Sequence, residues 1–233
     1  MDNVIVDFEF TGIDNEYIAD NEIIQVKMIN LGNRKKVIRN FRSRKPICAH
    51  GQISFGVERF NGHYFSKERF EKLLEKIGIK DYRNTNFCGF NIKLDKKMLY
   101  KYGIELPYYW DLKEAMLRSP YAHKLITEGN SLEVAYYLVT DKKPEFSHTD
   151  ISELLAMVEI YDYVTKVELS EYMEFVPFGP HAGMRIEDYV VQYRRLADGY
   201  RFNNTDLYAE SLNHYINILE SYNEEDEDYY NIF

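Results

Sequence analysis

The sequence predicts an α/β fold: a mixed sheet flanked by helices, with a small C-terminal appendage. Three observations predict it. Apolar runs at 3–10, 22–31 and 36–43 read as strands. The joins between them, "TGIDNEYIADN" and "GNRK", carry turn chemistry, and short joins favour an antiparallel meander. After residue 66 the pattern becomes helix, strand, then further helices, which lays helices over a sheet.

Each element has its own signal. "SKERFEKLLEKIG" is a helix: Ser66 can cap it, Phe70, Leu73, Leu74 and Ile77 share one face, and Gly78 can close it. "TNFCGF" is a short strand. "IKLDKKMLYKYG" is a second helix ending at Gly103, and "DLKEAMLR" and "SLEVAYYLV" are two shorter ones. "HTDISELLAMVEIYDYVTKV" is a long helix, with Ile151, Leu154, Leu155, Val158 and Tyr161 in register. Near residue 170 the texture changes, and "EFVPFGPHAG" opens what reads as a separate small unit. The predicted organisation is a main domain over 1–168, a small unit over 172–219 and an acidic tail over 220–233.

Composition narrows the function. The 233 residues are 45% hydrophobic and 29% charged, an ordinary globular balance. No apolar run is long enough to span a bilayer, the start "MDNVIVDFEF" lacks a signal-peptide pattern, and two cysteines make neither a disulfide framework nor a zinc site. The expectation is a soluble, cytoplasmic protein without membrane contact. A net charge of −9 argues in bulk against nucleic acid. Six of the acids, however, sit in "ESYNEEDED", so the rest of the chain carries only −3. That remainder holds basic clusters at 33–45 and 92–97, which can grip a short strand.

The chemistry lies in "IVDFEFTG". Asp7 and Glu9 are two apart on a strand and so share a face. Carboxylates are costly to bury alone. Either they face water or something positive sits over them. Asp95, after a short strand, a glycine turn and Asn91, is the candidate third acid. Such hard oxygen ligands suit Mg²⁺ or Mn²⁺, and two ions about 3.5–4 Å apart can clamp the attacking and leaving oxygens of a phosphodiester. His148, heading the long helix with Asp150 and Glu153 one turn on, has the right character for a base acting on water.

"VDFEFTG", "NEIIQV", "GFNIKLD" and "SHTDISELLAMVEIY" occur in the order found in the DEDDh family of 3′–5′ exonucleases. The chain resembles these DnaQ-like, ribonuclease-H-like proteins over about residues 3–165. The resemblance implies that Asp7, Glu9 and Asp95 are three of four acids holding two divalent ions, and that His148 is the base. The family's fourth acid, an Asp five residues after the His, is Glu153 here; Asp150 is the alternative. Thr11 and Gly12 match the backbone that touches the terminal nucleotide, and Asn91 a polar group that helps hold the site. Phe10 and Phe60 stand where the family stacks against a base, although "RFNGHYFS" (59–66) also reads as a plain hairpin loop. "VPFGPHAGMRIEDYVVQY" resembles the C-terminal segment of exonuclease-X-like proteins at Phe178, Gly179, Gly183, Ile186 and Tyr193, with Pro180 where lysine is usual.

Singly, most of these features have plain readings. Asp-x-Glu pairs usually lie on solvated strands, Asp95 could pair with Lys96 or Lys97, and a lone histidine at a helix start is more often a cap. Arg185, Arg194 and Arg195 either touch a backbone or solubilise a helix. Glu22 starts a strand near the site, with a minor role at best. Taken in order, the motifs imply an Mg²⁺- or Mn²⁺-dependent 3′–5′ exonuclease acting on single-stranded nucleic acid, DNA before RNA. The rivals are an exoribonuclease and a catalytically weak binding module. The acidic tail offers a docking point for a protein partner.

Overall fold

The computed structural model describes residues 1–12, 21–45, 47, 62–147, 150–197 and 206–230, with side chains through Ser221. Five strands form one sheet: β1 (Asp2–Phe10), β2 (Ile23–Asn30), β3 (Lys36–Asn40), β4 (Thr85–Gly89) and β5 (Tyr108–Asp111). Their spatial order is β3-β2-β1-β4-β5. The first three are antiparallel, as their short joins require, and β4 and β5 run parallel to β1. Parallel neighbours need long crossovers. These carry α1 (Lys67–Lys76) between β3 and β4, and α2 (Ile92–Tyr100) between β4 and β5. This is the mixed, helix-flanked sheet that the sequence predicts.

Further helices are α3 (Leu112–Met116), α4 (Ala122–Glu128), α5 (Leu132–Thr140), α6 (Ser152–Val164), α7 (Ile186–Gln192) and α8 (Leu207–Tyr230). The chain divides into two compact units, Met1–Lys113 with Val139–Tyr163, and Glu114–Leu138 with Val164–Phe233.

In the first unit, strand alternation builds the core. Val4, Val6 and Phe8 of β1 join Phe87 of β4 and Phe70, Leu73, Leu74 and Ile77 from α1 and its C-cap in one buried cluster. Phe8 and Phe70 stack with centroids 6.3 Å apart. Ser66 caps α1 by accepting from the Arg69 amide at 3.4 Å. β2 is buried at all eight positions, because it is an interior strand. Cys88 on β4 is a buried free cysteine, and burial pushes its thiol up to about 12.

Several predicted bounds shift. β3 stops at Asn40. α6 begins at Ser152, whose amide donates to Asp150 Oδ1 at 2.7 Å. Its buried apolar positions are Leu154, Ala156, Met157, Val158, Ile160 and Val164, whereas Leu155, predicted inward, is 47% exposed. β5 and α4 were not foreseen. The acidic run from Glu220 is helical as far as Tyr230, since it continues α8.

In the second unit, residues 175–185 fold back on themselves. The Val176 amide donates to Met184 O and the Gly183 amide to Val176 O, both at 2.9 Å. Gly183 has φ +86, and a Cβ there would stand 3.0 Å from Thr127 Cγ2, so glycine meets two demands at once. Ile186, Tyr189 and Val190 of α7 and Leu212 and Ile216 of α8 are buried. No helix among the described residues is long and apolar enough to cross a membrane.

Candidate functional site

β1 and β2 set the site by register. Asp7 lies opposite Lys27, and Glu9 opposite Gln25. With a period of two, Asp7, Glu9, Gln25 and Lys27 therefore share one face, while Val6 and Phe8 point into the core. α6 contributes Glu153 from its first turn. One oxygen from each of Asp7, Glu9 and Glu153 lies within 4.8 Å of the others.

The positive partner is Lys27. Its side chain is wholly buried. Its Nζ donates to Asp7 Oδ2 and Glu9 Oε1, each at 2.9 Å, and to Glu153 Oε2. Burial alone would lower the lysine pKa, but the charges of Asp7, Glu9 and Glu153 outweigh it and raise it, so Lys27 stays an ammonium ion. Asp7 rises to about 6. Its burial, with the nearby charges of Glu9 and Glu153, exceeds the opposing pull of Lys27.

Asp95 sits in the first turn of α2 and is buried. Burial, then the charges of Asp7, Asp111 and Glu9, push its carboxyl well above the usual range. Two features fix this helix. Asp111, at the end of β5, accepts at Oδ1 from the amides of Asn91 (3.1 Å) and Lys113 (3.0 Å). Gly89 lets β4 close on β1, since a Cβ there would meet Val6 O at 3.0 Å. Asn91 itself takes a left-handed conformation, φ 67, and its side chain makes no capping bond to α2.

The remaining predicted residues are placed as follows. Thr11 is buried and clamps the end of β1. Its amide donates to Glu22 O, and its Oγ1 accepts from the Glu22 amide, both at 3.0 Å. Gly12 packs against Asn21, whose Oδ1 would stand 2.9 Å from an added Cβ. Phe10 is partly buried against the core, beside a register shift at Glu9/Phe10. Glu153 on α6, not Asp150 ahead of that helix, reaches the cluster. Asp150 is exposed and held below the usual carboxylate range by hydrogen bonds from Ser152. His148 and Phe60 lie outside the described residues.

Glu22 has a structural task, accepting from Ser43 Oγ at 2.8 Å and from the amides of Arg44 (2.6 Å) and Lys45 (3.3 Å). Beside it lies a cavity of about 260 Å³ lined by Arg42, Arg44, Tyr64 and Tyr102, among others. The Arg44 guanidinium stands 4.6 Å from the Tyr64 ring centroid.

The carboxylates suit a hard divalent cation in kind and spacing. Gln25 Oε1, on the same face, is buried without a hydrogen-bond partner among the described residues and offers another oxygen of that kind. Room is the difficulty, because Lys27 already holds the oxygens on which a cation would settle. Lys27 is not among the residues that the sequence motifs single out. Its signal was a single lysine in the apolar strand "IIQVKMIN", at even spacing from Gln25, next to a strand bearing two acids.

No family model and no curated protein matches the chain. Solved structures give partial matches. The RNase domain of the yeast Pop2 protein aligns with a TM-score of 0.45 and 14% identity over 69% of this chain and 77% of that one. A structure of the yeast NOT1 MIF4G domain co-crystallized with CAF1 gives 0.42 and 15% over 70% and 77%. An apo form of a nuclease gives 0.42 and 10% over 70% and 71%.

Proposed function

We propose that the chain is a metal-dependent 3′–5′ exonuclease that releases nucleoside 5′-monophosphates from single strands, DNA before RNA. The observation that carries this reading is the convergence of Asp7, Glu9 and Glu153, from β1 and α6, with Asp95 close enough for Asp7 and Glu9 to shift its pKa. Acids gathered so closely need positive charge, and a phosphodiester under attack needs the same. When bound, Mg²⁺ or Mn²⁺ would supply Lewis acidity toward the scissile phosphate, and the family resemblance implies two such ions. Asp7, Glu9, Asp95 and Glu153 would hold them. His148 would take the proton from the attacking water. Asp111 keeps Asp95 in place through the Asn91 amide. Phe10 and Phe60 would stack on the terminal base, while Thr11, Gly12 and Asn91 would line its sugar and phosphate. The arginines around Tyr64 supply the mix of charge and aromatic surface that single strands prefer.

In this reading residues 1–168 carry the chemistry, 172–219 add strand contacts, and the acidic end of α8 suits a basic protein partner. The test is a product assay on matched DNA and RNA oligonucleotides labelled at either end, with Mg²⁺ or Mn²⁺. Mononucleotides released from 3′ ends are expected, and a 3′-phosphate block should stop them. Internal cuts, or products equal with and without chelator, would overturn the reading. The salt-bridged state of the cluster favours one alternative, a binding module without turnover. It predicts retained strand binding and no products with either metal.

A further inference from the structure

We infer that Lys27 is a built-in cation standing in for one of the two divalent ions, so that this site takes a single ion. The inference rests on the nuclease reading of the cluster and refines it.

Position comes first. Lys27 is directly opposite Asp7 in the β1–β2 ladder, on a strand buried along its whole length. An ammonium group has three protons to donate. Here all three are matched by carboxylates, those of Asp7, Glu9 and Glu153. These are the same three whose oxygens approach within 4.8 Å of one another. The lysine therefore occupies the centre of the donor set.

A structural ion pair would look different. One buried lysine is neutralised by one acid, with neutral acceptors for its other protons, and burying two more acids beside it adds desolvation and mutual repulsion that a stability role does not call for. Three carboxylates around one ammonium leave two negative charges unmatched. The arrangement is thus one-third neutralised, and the remainder matches the charge of one divalent ion.

Displacing Lys27 is unfavourable. A wholly buried ammonium that leaves three charge-assisted hydrogen bonds has no water to enter, and its tether keeps it at high local concentration. Lys27 holds Asp7 through Oδ2. The other oxygen of Asp7, with the Asp95 that the proposed function places among the ligands, would then take the incoming ion.

The experiment counts ions on the full chain. Mn²⁺ binding is measured by calorimetry and by electron paramagnetic resonance at pH 7.5, with thymidine 5′-monophosphate present so that phosphate can help recruit metal. Wild type is expected to bind one Mn²⁺, Lys27→Met two, and Lys27→Arg one. Asp95→Asn should lose the single wild-type ion. Two ions on wild type, or no gain in a folded Lys27→Met variant, would overturn the inference. Should Lys27→Met fail to fold, the wild-type and Asp95→Asn counts decide. Products with two ions on wild type sink the inference and keep the nuclease. A count rising from one to two without products does the reverse.

Discussion

At the scale of residues, Lys27 determines how the acids behave. Removing one partner from a buried ion network leaves the others uncompensated, which typically costs about 3–5 kcal/mol. In chelator-treated protein, Lys27→Met should therefore lower the free energy of urea unfolding by about that amount, and Mn²⁺ should recover part of it. Asp7 makes a second prediction. Its folded value of about 6 lies above the ordinary 3.8. Between these values the folded protein binds a proton that the unfolded chain releases, so this group's contribution is greatest below pH 4 and is lost as pH rises to 6. Asp95 acts in the same direction. Asp7→Asn cannot titrate. Its metal-free stability, measured against wild type, should improve as pH goes from 4 to 6; a constant difference would contradict the assigned shift.

At the scale of elements, the question is what carries α2 and Asp95 to the site. Gly89 is the tight point, with Val6 O at 3.0 Å and Ile92 Cβ at 3.2 Å from an added Cβ. Gly89→Ala must push β4 from β1 or shift the start of α2. A loss of about 1–3 kcal/mol in thermal unfolding is expected, as for other overpacked positions. Much of this level was legible beforehand. The pairing of Asp7 with Glu9 follows from the strand period, and the buried face of α1 from its spacing. β5 was not legible, because "YYWD" is four residues with no alternation and draws its hydrogen bonds from β4. Leu155 misled because the i, i+4 pattern from Ile151 selects it, whereas packing selects Met157 and Ile160. Lys27 was hidden by a sound rule, that a lysine in a strand ordinarily marks an edge or a wet face. Only the pairing register, a long-range property, sets it against Asp7.

At the scale of the molecule, charge is unevenly placed. The chain is −9 overall, yet Arg42 and Arg44 gather around Tyr64 in one cavity. Binding of single strands should fall with salt despite the net charge. Arg42→Ala and Arg44→Ala should each weaken it similarly for all sequences and reduce the log–log salt slope by about one. Fluorescence anisotropy with homopolymers of differing base checks this; an unchanged slope would remove the cavity from the binding surface.

The buried thiol of Cys88 gives the sheet a reporter. It lies next to the central strand, where β4 pairs with β1, and a thiol pushed up to about 12 is almost wholly unreactive at neutral pH. In a Cys48→Ser background, alkylation has to wait until β4 separates from its neighbours. The labelling rate of this single sulfur would then act as a clock for rare excursions of the whole domain, and Gly89→Ala should make it run faster.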